Sequence, residues 1–469
     1  MSAVVDVENK VAEKGWAAQA VNKQRAYFET GATKGYQFRL DQLNKLKRAI
    51  VKYAPDVEKS LKADIGRPPL EAYIEVAGAM DEINHAIKSL KKWMKPKRVA
   101  TSLMAQPGRS RIQATPLGVT FILVPYNYPF ILCMQPLIGA IAAGNTVIIK
   151  PSSLDPETAD VIKNIMEENF PEEYIKVYRG STEITNALLE EKFDHIFFTG
   201  SPRVGKIVMA AAAKHLTTVT LELGGKSPTI VHHDADLKVA AKRILSGKFM
   251  NVGQTCIAPD HLLVHSSIKD AFITELKNTL KEFFGDDTIN CPDIGRLVND
   301  KHFERVKGLI DPDKVVAGGE TDKAQKFIAP TIMDNVTLDD PCMQEEIFGP
   351  VLPVLEYTNL SEVYEHVRKL PPHPLALYLF TGSTKVEEEV LDNTQFGGGC
   401  INNTLMHVGN ANIPFGGVGN SGIGSYHGYK TFEVFSHLRG VLKTPTIFDI
   451  KFRYAPYKNK VKFLKMMVK

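Results

Sequence analysis

"GVTFILVPYNYPFILCMQPLIGAIAAGNTVIIK" occupies residues 118–150, and its reading decides the fold. It ends a span without a charge from Ile112 until Lys150, longer than the roughly 20 apolar residues that cross a bilayer. Pro116, Pro125, Pro129 and Pro136, with Asn127, Gln135 and Asn145, cut the span into short pieces. A proline inside a helix removes a hydrogen bond and clashes with the preceding turn, so one membrane-crossing helix is disfavoured. The pieces read instead as strand ("GVTFILVP"), turn, helix ("PFILCMQPLIGAIAAG") and strand ("TVIIKPS") in a buried core.

The alternation continues through "PETADVIKNIMEENF", "IKVYRG", "TEITNALLEE", "HIFFTG", "PRVGKIVMAAAAKH" and "TVTLELGG". Apolar strands separated by helices imply a parallel, doubly wound sheet, which binds ligands at the carboxyl ends of its strands. A second alternation from "SPTIVHH" through "DLKVAAKRILSGKFMN", "HLLVHSS", "KDAFITELKNTLKEFF", "PVLPVLEY", "SEVYEHVRKL", "LALYLFTGS" and "GGGCINNT" predicts a second α/β unit. Upstream, "QFRLDQLNKLKRAIVKYA" (37–54) and "PDVEKSLKADIG" (55–66) read as amphipathic helices, the latter closed by a glycine stop.

The 469 residues hold 57 basic and 53 acidic side chains, a net charge of +4, so no global field draws nucleic acid or a membrane. The five cysteines, Cys133, Cys256, Cys291, Cys342 and Cys400, are far apart and never spaced CxxC, which argues against a disulfide framework and against zinc. With acids in the opening "MSAVVDVENK", where a signal peptide carries positive charge, a reducing cytoplasm is the expected location. The tail "KFRYAPYKNKVKFLKMMVK" (451–469) is basic without an acid; it reads as a solvated or docked end, or as a membrane-surface contact.

Local context leaves the chemical residues undecided. "GSPRVGKI" (200–207) has the GxxxxGK spacing but Ile207 where a magnesium-holding hydroxyl belongs, which argues against a nucleoside triphosphatase. Gly200 and Gly205 then read either as a plain tight turn or as an anion-accepting helix start. "GVGNSG" (417–422) lies far past the first βαβ unit and reads as a loop. Lys150 marks where a strand reaches water, or meets a ribose or phosphate. Glu222 interrupts an apolar strand before Gly224; it is a general base or a glutamate on an edge strand. Cys256, in "NVGQTCIAPD" (251–260), is by itself a core filler as readily as a nucleophile.

Taken together, "VPYNYPF" (124–130), "IIKPS" (148–152), "FTGSPRVG" (198–205), "TLELGGKSP" (220–228), "NVGQTCIAPD", "QEEIFGPVLPV" (344–354) and "PFGGVGNSGIGSYHG" (414–428) make the sequence resemble the aldehyde dehydrogenase superfamily. Within it, the chain is most similar to the class 3 branch of fatty- and aromatic-aldehyde dehydrogenases. The resemblance implies two doubly wound open-sheet domains, a Rossmann-like cofactor domain (1–97 and 117–224) and a catalytic domain (225–430). It also implies an oligomerisation arm (98–116 and 431–446) and dimers, leaving 447–469 as the basic tail. Cys256 would attack the aldehyde to form a thiohemiacetal and then a thioester, Asn127 and the Cys256 N–H would hold the oxyanion, and Glu222 would activate water. Lys150, Ser153, Gly200, Ser201, Gly205, Glu346 and Phe348 would bind NAD.

Two departures from the family pattern matter. Ser153 stands where many members carry a ribose-binding glutamate, so NADP is accommodated alongside NAD. Tyr126 replaces a frequent tryptophan before the oxyanion asparagine, which alters the aldehyde pocket. The rival readings are a CoA-acylating or reductive relative, and a catalytically silent binding protein on the same fold.

Overall fold

The structure, a computed structural model, describes residues 15–371, 373–447, 449, 451–458, 460, 461 and 465. Residues 1–14 of the expected first domain and part of the expected basic tail lie outside the described residues. Val119–Leu123 and Thr146–Lys150 are strands buried at every position, and Ile131–Ala143 between them is a helix ending at Gly144. Gly144 takes the left-handed φ of 90° that closes a helix at little cost to a residue without Cβ.

These strands form the centre of a six-stranded sheet ordered Gly422–Ile423, Thr218–Glu222, His195–Thr199, Val119–Leu123, Thr146–Lys150, Ile175–Val177. All pairs are parallel except the first. The chain builds outward from Val119–Leu123 in one direction and then returns to its other side, so the sheet has a switch point between Val119–Leu123 and His195–Thr199. In open α/β sheets, such a point opens a crevice at the carboxyl ends of the strands.

A second sheet of seven strands has the order Val315–Ala317, Thr331–Met333, Val351–Tyr357, His261–His265, Pro228–Val231, Ala376–Phe380, Gly398–Ile401, parallel except at Val315–Ala317. Lys97–Val99, Arg109–Pro116 and Ser436–Lys443 form a separate antiparallel three-stranded sheet. The fold is thus α/β with two open sheets, as the alternating pattern implied.

Two particulars differ from the sequence reading. The stretches 37–54 and 55–66 are one helix, Tyr36–Ile65, running through Pro55. Its buried face, including Leu43, Leu46, Ile50, Val57 and Leu61, belongs to the main core, and packing of that face outweighs the roughly 3 kcal/mol that an internal proline costs. The strand Gly422–Ile423, within the stretch assigned to 225–430, pairs with Thr218–Glu222 of the first sheet. Glu222 is therefore not on an edge strand, because a neighbour covers each side.

Candidate active site

Four loops or strand ends converge on the carboxyl edge of the first sheet. The segment after Val119–Leu123 carries Asn127, the next strand ends at Lys150, His195–Thr199 leads into Gly200, and Thr218–Glu222 ends at Glu222. Parallel pairing aligns these ends; Val124 N donates to the Lys150 carbonyl (3.1 Å) and Gly200 N to the Glu222 carbonyl (2.9 Å).

Glu222 is only 1% exposed, and neither carboxylate oxygen has a hydrogen-bond partner among the described residues. Burial alone holds its pKa well above the ordinary carboxylate range. The Cys256 thiol interacts electrostatically with Glu346 and Glu222; burial first, then those two charges, push its pKa up. Glu346 is raised to about 8, by burial and then by Asp260, against a bond from the Gly225 N–H and the charges of Lys226 and Arg305. A Cβ on Gly224 would run into the Glu346 carboxylate, so the glycine leaves the space that this carboxylate occupies.

The nucleophile loop has a costly backbone. Asn251, Val252 and Gly253 all have positive φ, at 51°, 55° and 71°; for β-branched Val252 that is a genuine outlier. Side chains hold it there: Glu71 accepts from Asn251 N (2.9 Å), and Gln254 Nε2 donates to the Asn251 (3.2 Å) and Arg296 (3.1 Å) carbonyls. Asn127 is buried and its Nδ2 donates to the Gln254 carbonyl (3.0 Å), two residues before Cys256. Beyond the cysteine, Asp260 forms a buried ion pair with Lys226 and accepts from Ile347 N (2.9 Å). Lys226 also donates to the carbonyls of Cys342 (2.8 Å) and Glu345 (3.0 Å). This pair ties the Glu346 segment to the nucleophile loop.

The remaining candidates occupy the same sheet edge or its rim. Lys150 is 4% exposed, so it does not mark where the strand reaches water. Its Nζ donates to the Pro151 carbonyl (2.7 Å), and burial lowers its pKa to about 8. Ser153 is exposed on the following turn. Ser201 caps the helix Pro202–Ala213 by accepting from Val204 N (3.4 Å), and a Cβ on Gly205 would press on the Leu223 side chain. Phe348, itself at φ 45°, meets the Tyr126 ring edge-on at 6.1 Å. Cys256, Glu222 and Glu346 are thus brought together, Asn127 is bonded to their loop, and Lys150 with the Gly200 turn stands along the crevice.

Sequence reasoning missed Arg67, Glu71, Glu75, Asn251, Gln254 and the Lys226–Asp260 pair. Glu75 carried a readable signal: it falls on the stripe Ala72, Val76, Ala79, Ile83 that faces the core of the helix Pro69–Trp93.

The donor set suits a dinucleotide. Lys150 spends one of its three protons on Pro151, the Thr199 hydroxyl is buried without a partner, and the Pro202–Ala213 helix presents its N-terminus at the same edge. An open-sheet crevice with such donors, beside a half-buried thiol and a buried carboxylate, defines a dinucleotide-dependent oxidoreductase.

The aldehyde dehydrogenase family pattern matches residues 4–441. The 4,4'-diaponeurosporen-aldehyde dehydrogenase of Staphylococcus aureus is 47% identical, over 95% of this chain and 97% of that protein. The rat dimeric NADP-preferring aldehyde dehydrogenase is 44% identical, over 94% of this chain and 97% of its own. A substrate-bound structure of Staphylococcus aureus AldH superposes with a TM-score of 0.94 at 46% identity, over 96% of this chain and 99% of that one. The chain belongs to the aldehyde dehydrogenase family, in its class 3 branch. It is an enzyme that oxidises aldehydes with NAD or NADP. Among the described residues no helix is long and apolar enough to cross a membrane.

Proposed function

We propose that Cys256 is the nucleophile, Asn127 with the Cys256 N–H the oxyanion hole, and Glu222 the base that activates water against the thioester. The observation that carries this reading is Glu222 itself: a buried carboxylate with two unpartnered oxygens, in electrostatic contact with the one candidate thiol. A group so placed is neutral until pH passes its raised pKa, and then becomes a strong acceptor with no bond to break first. Asn127 has one amide proton on Gln254 and one left for the developing oxyanion. Lys150, Ser153, Gly200, Ser201, Gly205, Glu346 and Phe348 would hold the dinucleotide, whose oxidised nicotinamide supplies the hydride acceptor. The first-sheet unit then serves the cofactor and the second-sheet unit the aldehyde. The Tyr126 ring edge-on to Phe348 and the uncharged stretch around Asn127 favour medium- or long-chain aliphatic or aromatic substrates.

The three-stranded sheet supports a homodimer. Among the described residues its outer strands, Lys97–Val99 and Ser436–Lys443, each leave one edge unpaired, and Leu438, Leu442, Leu103 and Met104 are exposed on or near it. Sedimentation giving a monomer at assay concentration overturns that part. The reading also includes a cytoplasmic location and a membrane-surface contact through the basic tail, where Arg453 binds the Met104 and Gln106 carbonyls (both 2.6 Å).

The decisive experiment is Cys256→Ala, assayed with a panel of aldehydes, with NAD and NADP separately, with and without CoA. The variant is expected to bind NAD and to lose all turnover. Persisting turnover overturns the nucleophile, and an obligatory need for CoA in the unmodified enzyme overturns hydrolysis.

A further inference from the structure

Arg67 has one of the largest fully buried side chains of the molecule, at 1% exposure, yet it lies in the short turn between the helices Tyr36–Ile65 and Pro69–Trp93. A buried guanidinium has to be paired, and its partners here all lead to the active site. Nη1 donates to Glu75 Oε1 (2.5 Å), with both side chains fully buried. Nη2 donates to the backbone carbonyl of Asn127, and the guanidinium stands 4.5 Å over the Tyr128 ring. The other oxygen of Glu75 accepts from Phe130 N (3.0 Å) and Ile131 N (3.1 Å). Every residue from 127 to 131 except Pro129 is thus touched by one ion pair.

The same loop is tied to the nucleophile. Asn251 Nδ2 donates to the Asn127 carbonyl (2.9 Å) that Arg67 also binds, and to the Gln254 carbonyl (3.1 Å). The Tyr128 hydroxyl lies 2.8 Å from Thr255 Oγ1, one residue before Cys256. Arg67 therefore sits behind two connections, one through the Asn127 carbonyl and one through Tyr128. Stability alone is a weak reason for such a group, since replacing a buried ion pair with well-packed apolar residues is often neutral or stabilising. The Arg67 Nε is even left buried without a partner, a polar cost of the kind tolerated where geometry matters more than stability.

We infer that Arg67, held by Glu75, is a positioning residue that sets the separation of the Asn127 amide from the Cys256 thiol, and so the rate at which the thiol adds to the aldehyde. It touches neither substrate nor cofactor. Its loss acts on kcat in the first half-reaction and leaves NAD affinity alone. The inference rests on Cys256 and Asn127 acting as proposed above.

The test compares Arg67→Met, Arg67→Lys and Glu75→Gln with the unmodified enzyme by single-turnover NADH formation, steady-state kcat and KM, NAD binding by fluorescence, and thermal unfolding. A misplacement of about 1 Å costs about 100-fold, which is the fall expected in single-turnover rate for Arg67→Met. Arg67→Lys keeps the charge but loses the planar fork, and is expected to recover about tenfold of that loss. Glu75→Gln should fall between them, with the dissociation constant for NAD unchanged in all three. A single-turnover rate within threefold of the unmodified enzyme in Arg67→Met overturns the inference. If that variant does not fold, unchanged rates in both Arg67→Lys and Glu75→Gln overturn it equally. A loss expressed only in KM or only in unfolding temperature makes the pair structural and overturns it too. Should Cys256→Ala retain turnover, the nucleophile assignment fails and this role of Arg67 falls with it; with Cys256→Ala inactive, unchanged rates in the Arg67 and Glu75 variants overturn the role of Arg67 alone.

Discussion

The cofactor edge and the nucleophile loop answer to opposite physical demands. Along the edge, Lys150 and Ser201 each make one local bond in ordinary geometry, Lys150 keeping its other protons for a ligand, and Gly200 closes a turn onto the Glu222 carbonyl. Around Cys256 the backbone is forced into positive φ at Asn251 and Val252, Glu222 is unpartnered among the described residues, and the buried Arg67 and Glu75, with half-buried Glu71, hold the arrangement. Strain of about 1–3 kcal/mol per unusual residue persists only where its surroundings enforce it, and it clusters at reacting centres. A surface that only binds can be built from ordinary geometry, whereas a site that must hold a thiol, an amide and a base in register is built against local preference.

That contrast can be broken at either end. After the loss of all turnover expected of Cys256→Ala, the largest effect is expected from Glu222→Gln, which removes the base but not the acylating machinery. Steady-state turnover should fall about 10²–10⁴-fold while single-turnover NADH formation persists, because general-base catalysis contributes about that much. The unmodified enzyme should gain steady-state activity as pH rises, since burial keeps Glu222 protonated until pH passes its raised pKa; the variant should lack that limb. An unchanged steady state would remove Glu222 from the mechanism.

At the permissive end, Ser153→Glu places a carboxylate on an exposed turn where a 2′-phosphate would sit. The ratio of kcat/KM for NADP to that for NAD should fall at least about tenfold, or about 1.4 kcal/mol, with little change for NAD. An unmoved ratio would place the 2′-phosphate elsewhere. The smallest effect is thermodynamic. A carboxyl whose folded pKa lies above its unfolded one adds stability in full below the unfolded value and loses it as pH rises through the folded value. Unfolding temperatures should therefore shift in favour of Glu222→Gln as pH rises from the ordinary carboxylate range; a difference independent of pH would mean that Glu222 is not held protonated by the fold.

Much of the fold was legible in the chain because strands and helices announce themselves by period. The segment 118–150 became strand, helix and strand, and the expected glycine stop at Gly66 closes its helix. The strand Gly422–Ile423 was not legible, since two residues carry no period and its partner is some 200 positions earlier. The continuous helix through Pro55 was hidden for the converse reason: the local breaker is real, and only packing from outside the segment overrides it.

For the site, the one-dimensional information ended at residue types. The sequence by itself determined an α/β chain with a reduced thiol in "NVGQTCIAPD" and a carboxylate in "TLELGGKSP", and the succession of motifs pointed to the family. Whether Glu222 was an edge residue or a buried base, and whether Lys150 met water, depended on neighbours that the chain brings back from far away. Arg67 lies 60 residues from Asn127 and has no helical or strand period to mark it. Burial and pairing of charge are properties of the folded interior, where desolvation and Coulomb attraction act across space and not along the chain.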